Sequence, residues 1–175
     1  ITMKLNKLMF REYDIRGIWN EDITEEISYY IGRAYATKLL SLKKNKMIVG
    51  YDNRLSSPII EKNLVKGLTD GGVDVVRLGL VTTPMYYYAW DKLNIHCGIM
   101  ITASHNPKEY NGFKMSYNGI HNCFGNEVAE LYYIILNGIY SKGNGSITDA
   151  NIKEDYIKMI NSHINMGSNK LKVIY

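Results

Sequence analysis

Short apolar runs alternate with amphipathic segments along most of this sequence, and this alternation limits the possible fold more than any other feature. The apolar runs KMIVGYD, VDVVRLG and HCGIMIT predict buried strands at residues 46–52, 73–79 and 96–102. The segments between them have the length and pattern of the helices in βαβ units. Because such units place helices on both faces of a sheet, we predict a three-layer α/β/α domain with a mixed, mostly parallel sheet.

Local signals predict where the helices begin and end. Thr24 is a candidate N-cap for the segment that starts at DITEEISYY, and acidic residues follow it. In SPIIEKNLVKGLTDGG, Ser57 is the predicted N-cap, Pro58 the first helical residue, and Gly71 the stop signal. Further helices are predicted in TTPMYYYAWDKL and NEVAELYYIILNGI, and a short extended segment in GFKMS.

The composition changes near the end of the sequence. Residues 141–151 are rich in Gly, Ser and Asn, and they are followed by a helical pattern, IKEDYIKMINSHI, and a strand-like run, KLKVIY. A buried strand in the last position leaves an unpaired edge. We therefore expect residues 1–145 to form one domain, and residues 146–175 to hold the linker, helix and first strand of a truncated second domain.

Composition and charge argue against several classes of function. The net charge of +4 is modest and the lysines are scattered, so we expect no nucleic-acid partner. No apolar segment approaches the roughly 18 residues of a membrane span, so we expect no membrane partner, and we expect no secretory signal because the first residues lack a long apolar run. Cys97 and Cys123 lack metal-site spacing. We expect two free thiols in the cytoplasm, with a disulfide as the alternative.

Polar residues follow three of the predicted strands, where α/β proteins bind their ligands. The segments are YDNRLSSP, LGLVTTP and TASHNP, and the third carries the most chemistry. Ser104 is a candidate nucleophile or phosphoryl carrier, and His105 and Lys114 can balance the charge that develops in transfer. Asn106 and Pro107 favour a tight turn.

A second polar cluster lies near the N-terminus, in MFREYDIRGI at residues 9–18, before any predicted regular element. Its Arg16 is suited to bind a phosphate through two parallel hydrogen bonds. The alternative is an ordinary surface arginine. In YDNRLSSP, we expect Asp52 and Arg54 to support the neighbouring loop rather than to take part in the chemistry.

A serine hydrolase is disfavoured by the same residues. Ser104 and His105 are adjacent, whereas the partners of a catalytic triad come from separate segments. The sequence also lacks the G-x-S-x-G turn of the α/β-hydrolases. By spacing alone, a Ser-His pair is more often an ordinary turn than a catalytic element.

Four motifs together resemble one enzyme family. FREYDIRG, GYDNRLSSP, TTP and TASHNPKEYNGFK occur in the order and approximate spacing of the first domain of the α-D-phosphohexomutases, over roughly residues 9 to 140. FREYDIRG resembles the phosphomannomutase/phosphoglucomutase branch, whereas phosphoglucosamine mutases open with a GTDGIRG-like string. The resemblance implies an isomerase-class phosphotransferase that interconverts hexose 1- and 6-phosphates of mannose or glucose through a hexose 1,6-bisphosphate.

The resemblance also implies roles for individual residues. Ser104 corresponds to the phosphoserine, and its phosphate to one ligand of Mg²⁺. The family's other Mg²⁺ ligands lie in an aspartate-rich loop of the second domain, and this sequence has no such loop. Catalytic roles fall on Ser104, His105 and Lys114, and substrate or phosphate binding on Tyr13, Arg16 and Asn106.

We therefore expect this chain to be an inactive fragment of an active parent. Its partners would be hexose phosphates and the remaining domains of its own parent chain. A non-catalytic sugar-phosphate-binding module of the same fold is the alternative. Ser104 and Lys114 separate the two hypotheses, because a binding module has no need of the nucleophile.

Overall fold

A mixed β-sheet forms the centre of the molecule. The computed structural model describes residues 4–165, 167–168, 170 and 172–174. Within these residues the strands are β1 (Ile15–Ile18), β2 (Lys46–Tyr51), β3 (Asp74–Leu80), β4 (Gly98–Ile101), β5 (Tyr110–Ser116) and β6 (Ile147–Asp149). They are arranged in the order β1-β5-β4-β2-β3-β6. β5 runs antiparallel to both of its neighbours, and the other pairs are parallel.

Helices cover both faces of the sheet. They are α1 (Glu25–Ser41), α2 (Ser57–Asp70), α3 (Thr83–Lys92), α4 (Asn126–Asn137) and α5 (Lys153–His163), preceded by a short 3-10 helix at Lys7–Met9. α1, α2 and α4 pack on one face, and α3 and α5 on the other. The predicted three-layer α/β/α fold with a mixed, mostly parallel sheet is confirmed. No helix in the described residues has the length and apolar character needed to span a membrane.

The core is divided by the sheet into two layers. Neighbouring residues of a strand point to opposite faces, so Val49 of β2 packs with α1 and α2, whereas Ile48 packs with α3. The first layer is closed by a tight crossing of α1 and α2. A Cβ atom on Gly32 would lie 2.3 Å from the carbonyl oxygen of Leu64, so the two helix backbones are in direct contact.

The capping predictions are partly confirmed. The Thr24 hydroxyl accepts a hydrogen bond from the Ile27 N–H at 3.1 Å, as expected of the N-cap of α1. The prediction that Ser57 caps α2 is wrong, because Ser57 is the first helical residue and Pro58 the second. The Ser57 hydroxyl instead donates to Asp52 Oδ1 at 2.8 Å. The Asp52 carboxylate is a stronger hydrogen-bond partner than the backbone N–H that a capping hydroxyl would bind, since hydrogen bonds to charged groups are stronger than those between neutral groups.

Two edge strands were not predicted. Residues 9–18 were expected to precede any regular element, but Ile15–Ile18 pair with β5. The linker was expected to begin at residue 146, but the chain there forms β6, which pairs with β3. The strand expected in KLKVIY is not seen at Lys170 or residues 172–174, and its other residues lie outside the described part of the chain. The assignment of residues 146–175 to a second domain stays a prediction.

β6 is attached to the sheet by two carboxylates. Asp74 Oδ1 accepts hydrogen bonds from the backbone N–H and the hydroxyl of Ser146, both at 2.7 Å. Arg77 Nε donates to Asp149 Oδ1 at 2.8 Å, and Nη2 donates to Oδ2 at 3.2 Å. The backbone N–H of Ser146 is the main cause that lowers the pKa of Asp74, and the Arg77 guanidinium lowers that of Asp149.

These shifts predict that acid selectively weakens β6. A carboxyl whose folded pKa is depressed stabilises the fold above its unfolded pKa, and this stabilisation is lost as the pH falls through the folded value. We expect the Ala150 amide, which donates to the Arg77 carbonyl at 2.9 Å, to lose protection from hydrogen exchange as the pH falls below about 4. The central Ile48 amide is the internal control. Equal loss of protection at both amides, after correction for intrinsic rates, would contradict the prediction.

Candidate active site

Two clefts lie beyond the carboxyl ends of the central strands. They are separated by residues 102–109, which connect β4 to β5 and which we call the Ser104 loop. The first, which we call the Arg16 cleft, has a volume of about 490 Å³. The second, which we call the Arg54 cleft, has a volume of about 660 Å³. The Arg16 cleft is lined by Tyr13, Asp14, Arg16, Ser104, His105, Lys114, His121, Asn122 and Phe124. The Arg54 cleft is lined by Asp52, Asn53, Arg54, Leu55, Ser104, Asn106, Lys108 and Glu109.

The predicted site residues therefore come together. Tyr13, Arg16, Ser104, His105 and Lys114 share the Arg16 cleft, although the Arg54 cleft is the larger of the two. Asn106 lines the Arg54 cleft, but its side chain reaches Arg16. Of the three polar segments, LGLVTTP does not line either of these clefts. Its Thr82 and Thr83 line a third cleft together with Lys153, and Ser104 is not part of that cleft.

Ser104 lies in a strained turn directly after β4. Its φ angle is 55°, in the left-handed region that residues other than glycine rarely occupy, at a cost on the order of 1–3 kcal/mol. Its N–H donates to Thr102 Oγ1 at 3.0 Å, and the Asn106 N–H donates to the Ala103 carbonyl at 3.0 Å. Ser104 therefore belongs to a turn rather than to a helix or strand, and its side chain is exposed.

Arg16 connects the edge strand β1 to the Ser104 loop. Its Nη1 donates to Asn106 Oδ1 at 2.5 Å, and its Nη2 donates to the Asp14 carboxylate. The Arg16 Nε is buried and has no hydrogen-bond partner among the described residues. The side chain is only 10% exposed, so its charge is weakly screened by water.

Lys114 lies on the same face of the sheet as Arg16. Arg16 pairs with Gly112 across β1 and β5, and Lys114 follows Gly112 by two positions. Within the described residues the Lys114 ammonium makes no ion pair or hydrogen bond, so its donors are available to a ligand in the cleft. Arg16 is balanced by Asp14, so the Lys114 ammonium is the uncompensated positive charge beside the exposed serine hydroxyl, and it suits an anionic ligand.

The comparison with known proteins follows this geometry. The model of the family "Phosphoglucomutase/phosphomannomutase, alpha/beta/alpha domain I" matches residues 7–138. The chain belongs to this family. The expected resemblance to the phosphohexomutases is therefore confirmed.

Relatives of this domain are longer proteins. The chain is 41% identical over 167 residues to a phosphomannomutase/phosphoglucomutase of Pseudomonas syringae pv. tomato, a match that covers 95% of this chain and 35% of the relative. It is 40% identical over 160 residues to a phosphoglucomutase of Neisseria meningitidis serogroup B, a match that covers 90% of this chain and 35% of the relative. A crystal structure of a family member from Burkholderia thailandensis superposes with a TM-score of 0.88 at 31% identity. The superposition covers 94% of this chain and 37% of the Burkholderia chain. The chain thus spans about a third of these relatives.

Sequence reasoning missed one wall of the Arg16 cleft. His121, Asn122 and Phe124 belong to the loop between β5 and α4, which carries no recognisable motif. Asn122 Nδ2 donates to the hydroxyl of Tyr87 on α3 at 2.7 Å, and His121 Nε2 lies 3.4 Å from Glu127 Oε2. The only signal in the sequence was a histidine near a predicted helix start, which is common in ordinary loops.

The cysteines and carboxylates of this domain do not form a metal site. Both cysteines are free and buried, and burial raises the pKa of Cys97 and raises that of Cys123 to about 12, so both thiols stay neutral. Within the described residues no group of three or more His, Cys, Asp and Glu side chains is placed to bind a metal ion. These residues therefore do not fit Mg²⁺ by themselves, since Mg²⁺ requires several oxygen ligands.

Asn111 connects the site to the helix layer behind it. This residue is fully buried at the start of β5, and its Nδ2 donates to the hydroxyls of Ser56 and Ser57 at 2.8 and 3.0 Å. Its Oδ1 accepts from the Gly112 N–H at 2.9 Å. One amide side chain thus joins β5 to the beginning of α2.

We expect Asn111→Ala to lower the free energy of unfolding by about 3 kcal/mol, because it leaves a buried N–H and two hydroxyls without their partner. Denaturant unfolding followed by circular dichroism measures the change. Asn53→Ala, at an exposed loop position, is the matched control and should change stability by about 0.5 kcal/mol or less. Equal effects of the two substitutions would contradict the role of Asn111.

Proposed function

We propose that the full-length gene product carrying this chain is a phosphohexomutase, with Ser104 as its phosphoryl carrier. The observation that carries the proposal is the position of Ser104: an exposed hydroxyl in a strained turn, on a cleft shared with Arg16 and Lys114. The substrates are hexose 1- and 6-phosphates of mannose or glucose, in keeping with the names of the relatives.

The proposed reaction is a transfer in two steps. Phosphorylated Ser104 donates its phosphoryl group to the free hydroxyl of a hexose phosphate. The bond between phosphorus and Ser104 Oγ breaks as a bond to the sugar oxygen forms. The sugar hydroxyl loses its proton to a base, for which His105 is our candidate, and the leaving Ser104 Oγ takes up a proton to become a hydroxyl again. The hexose 1,6-bisphosphate then turns around, and its other phosphoryl group returns to Ser104. Phosphate exchanges between positions 1 and 6.

The remaining residues act through charge and position. Positioning and electrostatic stabilisation dominate phosphoryl transfer. The unpartnered Lys114 ammonium supplies positive charge in the cleft, beside the Arg16 guanidinium that Asp14 and Asn106 hold. Asn106 orients Arg16 through its side-chain oxygen. Tyr13, which lines the cleft and is 70% exposed, is our candidate for contacting the sugar.

Phosphorylated Ser104 would provide one oxygen ligand to Mg²⁺, and the other ligands would come from the rest of the gene product. The cytoplasm is the proposed location, because two free thiols persist in a reducing compartment. The alternative function is a non-catalytic module that binds sugar phosphates. Retention of both Ser104 and the free Lys114 ammonium favours the mutase.

The Ser104 hydroxyl should be essential. We expect the full-length gene product to gain the mass of one phosphate group when it is treated with hexose 1,6-bisphosphate. The Ser104→Ala variant should show no such gain, and its mutase activity should be lower by about 1,000-fold or more. Ser162→Ala, an exposed serine on α5, is the matched control and should behave as wild type. Phosphorylation of the Ser104→Ala variant would contradict the assignment, and its absence from the wild type would favour the binding module.

The 175-residue chain alone should be inactive. Its described residues do not provide a complete metal site, and it spans about a third of the relatives' length. A ³¹P NMR assay with mannose 1-phosphate and glucose 1-phosphate measures the interconversion. Ser104-dependent turnover by this chain would show that the domain needs no other part of the gene product.

A further inference from the structure

The Arg54 guanidinium binds the Ser104 loop through its backbone. Nη1 donates to the carbonyl oxygens of Pro107 and Tyr110 at 2.6 and 3.1 Å, and Nη2 donates to those of Ser104 and Asn106 at 3.1 and 2.7 Å. One side chain therefore contacts three carbonyl groups of the Ser104 loop and that of Tyr110, the first residue of β5. A planar guanidinium presents its donors in a fixed fork, which a flexible ammonium cannot reproduce.

Arg54 is itself anchored to rigid elements. Its Nε donates to Asp52 Oδ2 at 3.2 Å, and its backbone N–H donates to Asp52 Oδ1 at 3.1 Å. Asp52 directly follows β2 and accepts the Ser57 hydroxyl at the first residue of α2. The Arg54 and Asp52 side chains are only 11% and 19% exposed, so their pairing is partly shielded from water.

This arrangement determines the direction of the peptide group between Ser104 and His105. Every peptide bond in the described residues is trans, so the N–H of each peptide points opposite to its carbonyl. Since the Ser104 carbonyl points to Arg54, the His105 N–H points away from Arg54. Among the described residues this N–H has no hydrogen-bond acceptor, and both Ser104 and His105 line the Arg16 cleft.

We infer that the backbone N–H of His105 binds the phosphoryl group on Ser104, and that Arg54 is the positioning residue that holds this N–H in place. This inference rests on the proposed function. By accepting three hydrogen bonds from Arg54, the loop turns the negative ends of these peptide dipoles away from the phosphoryl group. A preorganised N–H stabilises developing charge without reorganisation during the reaction. The same bonds offset the left-handed strain at Ser104.

Arg54→Lys in the full-length gene product tests the positioning role. We expect kcat and the rate of Ser104 phosphorylation to fall about 10- to 100-fold, as for a misplaced reacting group, with little change in KM for the hexose phosphate. Arg77→Lys is the matched control, because Arg77 also forms a two-point pair with a carboxylate but lies outside both clefts. It should leave kcat and KM unchanged.

An amide-specific measurement tests the N–H itself. In ¹H–¹⁵N spectra of the wild type, phosphorylation of Ser104 should shift the His105 amide proton downfield, and Arg54→Lys should reduce this shift. If Arg54→Lys does not fold, Asp52→Asn, which weakens the anchor of Arg54, replaces it, with the same expected direction in kcat.

The outcomes separate this inference from the proposed function. Loss of phosphorylation in Ser104→Ala together with wild-type kcat in Arg54→Lys overturns the positioning role and leaves the mutase proposal intact. An unshifted His105 amide overturns the role of the N–H. Full mutase activity in Ser104→Ala overturns the proposed function, and this inference with it.

Discussion

The reversal of β5 between β4 and β1 is the constraint on which the candidate site depends. The chain leaves β4 at Ile101 and returns in the opposite direction at Tyr110, so the Ser104 loop stays at the edge of the sheet where β4 ends. β5 then passes back beside β1, which brings Lys114 and Arg16 onto one face. A parallel crossover would have carried the chain through a helix to the opposite edge before the next strand. The antiparallel strand therefore places Ser104, Arg16 and Lys114 at one cleft.

The elements that the sequence predicted well are those with a side-chain signature. The central strands are continuous apolar runs, because helices cover both of their faces. β1 and β6 were missed because they are short edge strands, and β6 is exposed throughout. β6 is held by backbone hydrogen bonds and a few polar contacts, which leave no periodic pattern, and β1 spans only four residues, too few to show one. The same reason explains why the carbonyl contacts of Arg54 could not be located from sequence, although its supporting role was expected.

The site is also tied to the packing behind it. Asp52 joins the end of β2 to the start of α2, and Asn111 joins α2 to β5. α2 is in turn locked against α1, where a Cβ atom on Gly67 would lie 2.0 Å from the Tyr29 carbonyl oxygen. Side chains that carry no proposed chemistry thus fix the strand ends from which the loop emerges. This is why motif residues such as Asp52 cluster near Ser104 without lining the Arg16 cleft.

Asn106 is held from both sides, since Arg16 binds its side-chain oxygen and Arg54 its carbonyl. Fixing the backbone of one residue costs about 1–2 kcal/mol of conformational entropy. In this loop that cost is met when the domain folds, before any ligand arrives. A ligand of the Arg16 cleft would then meet a loop that is already ordered, so its affinity is not reduced by the need to immobilise the loop.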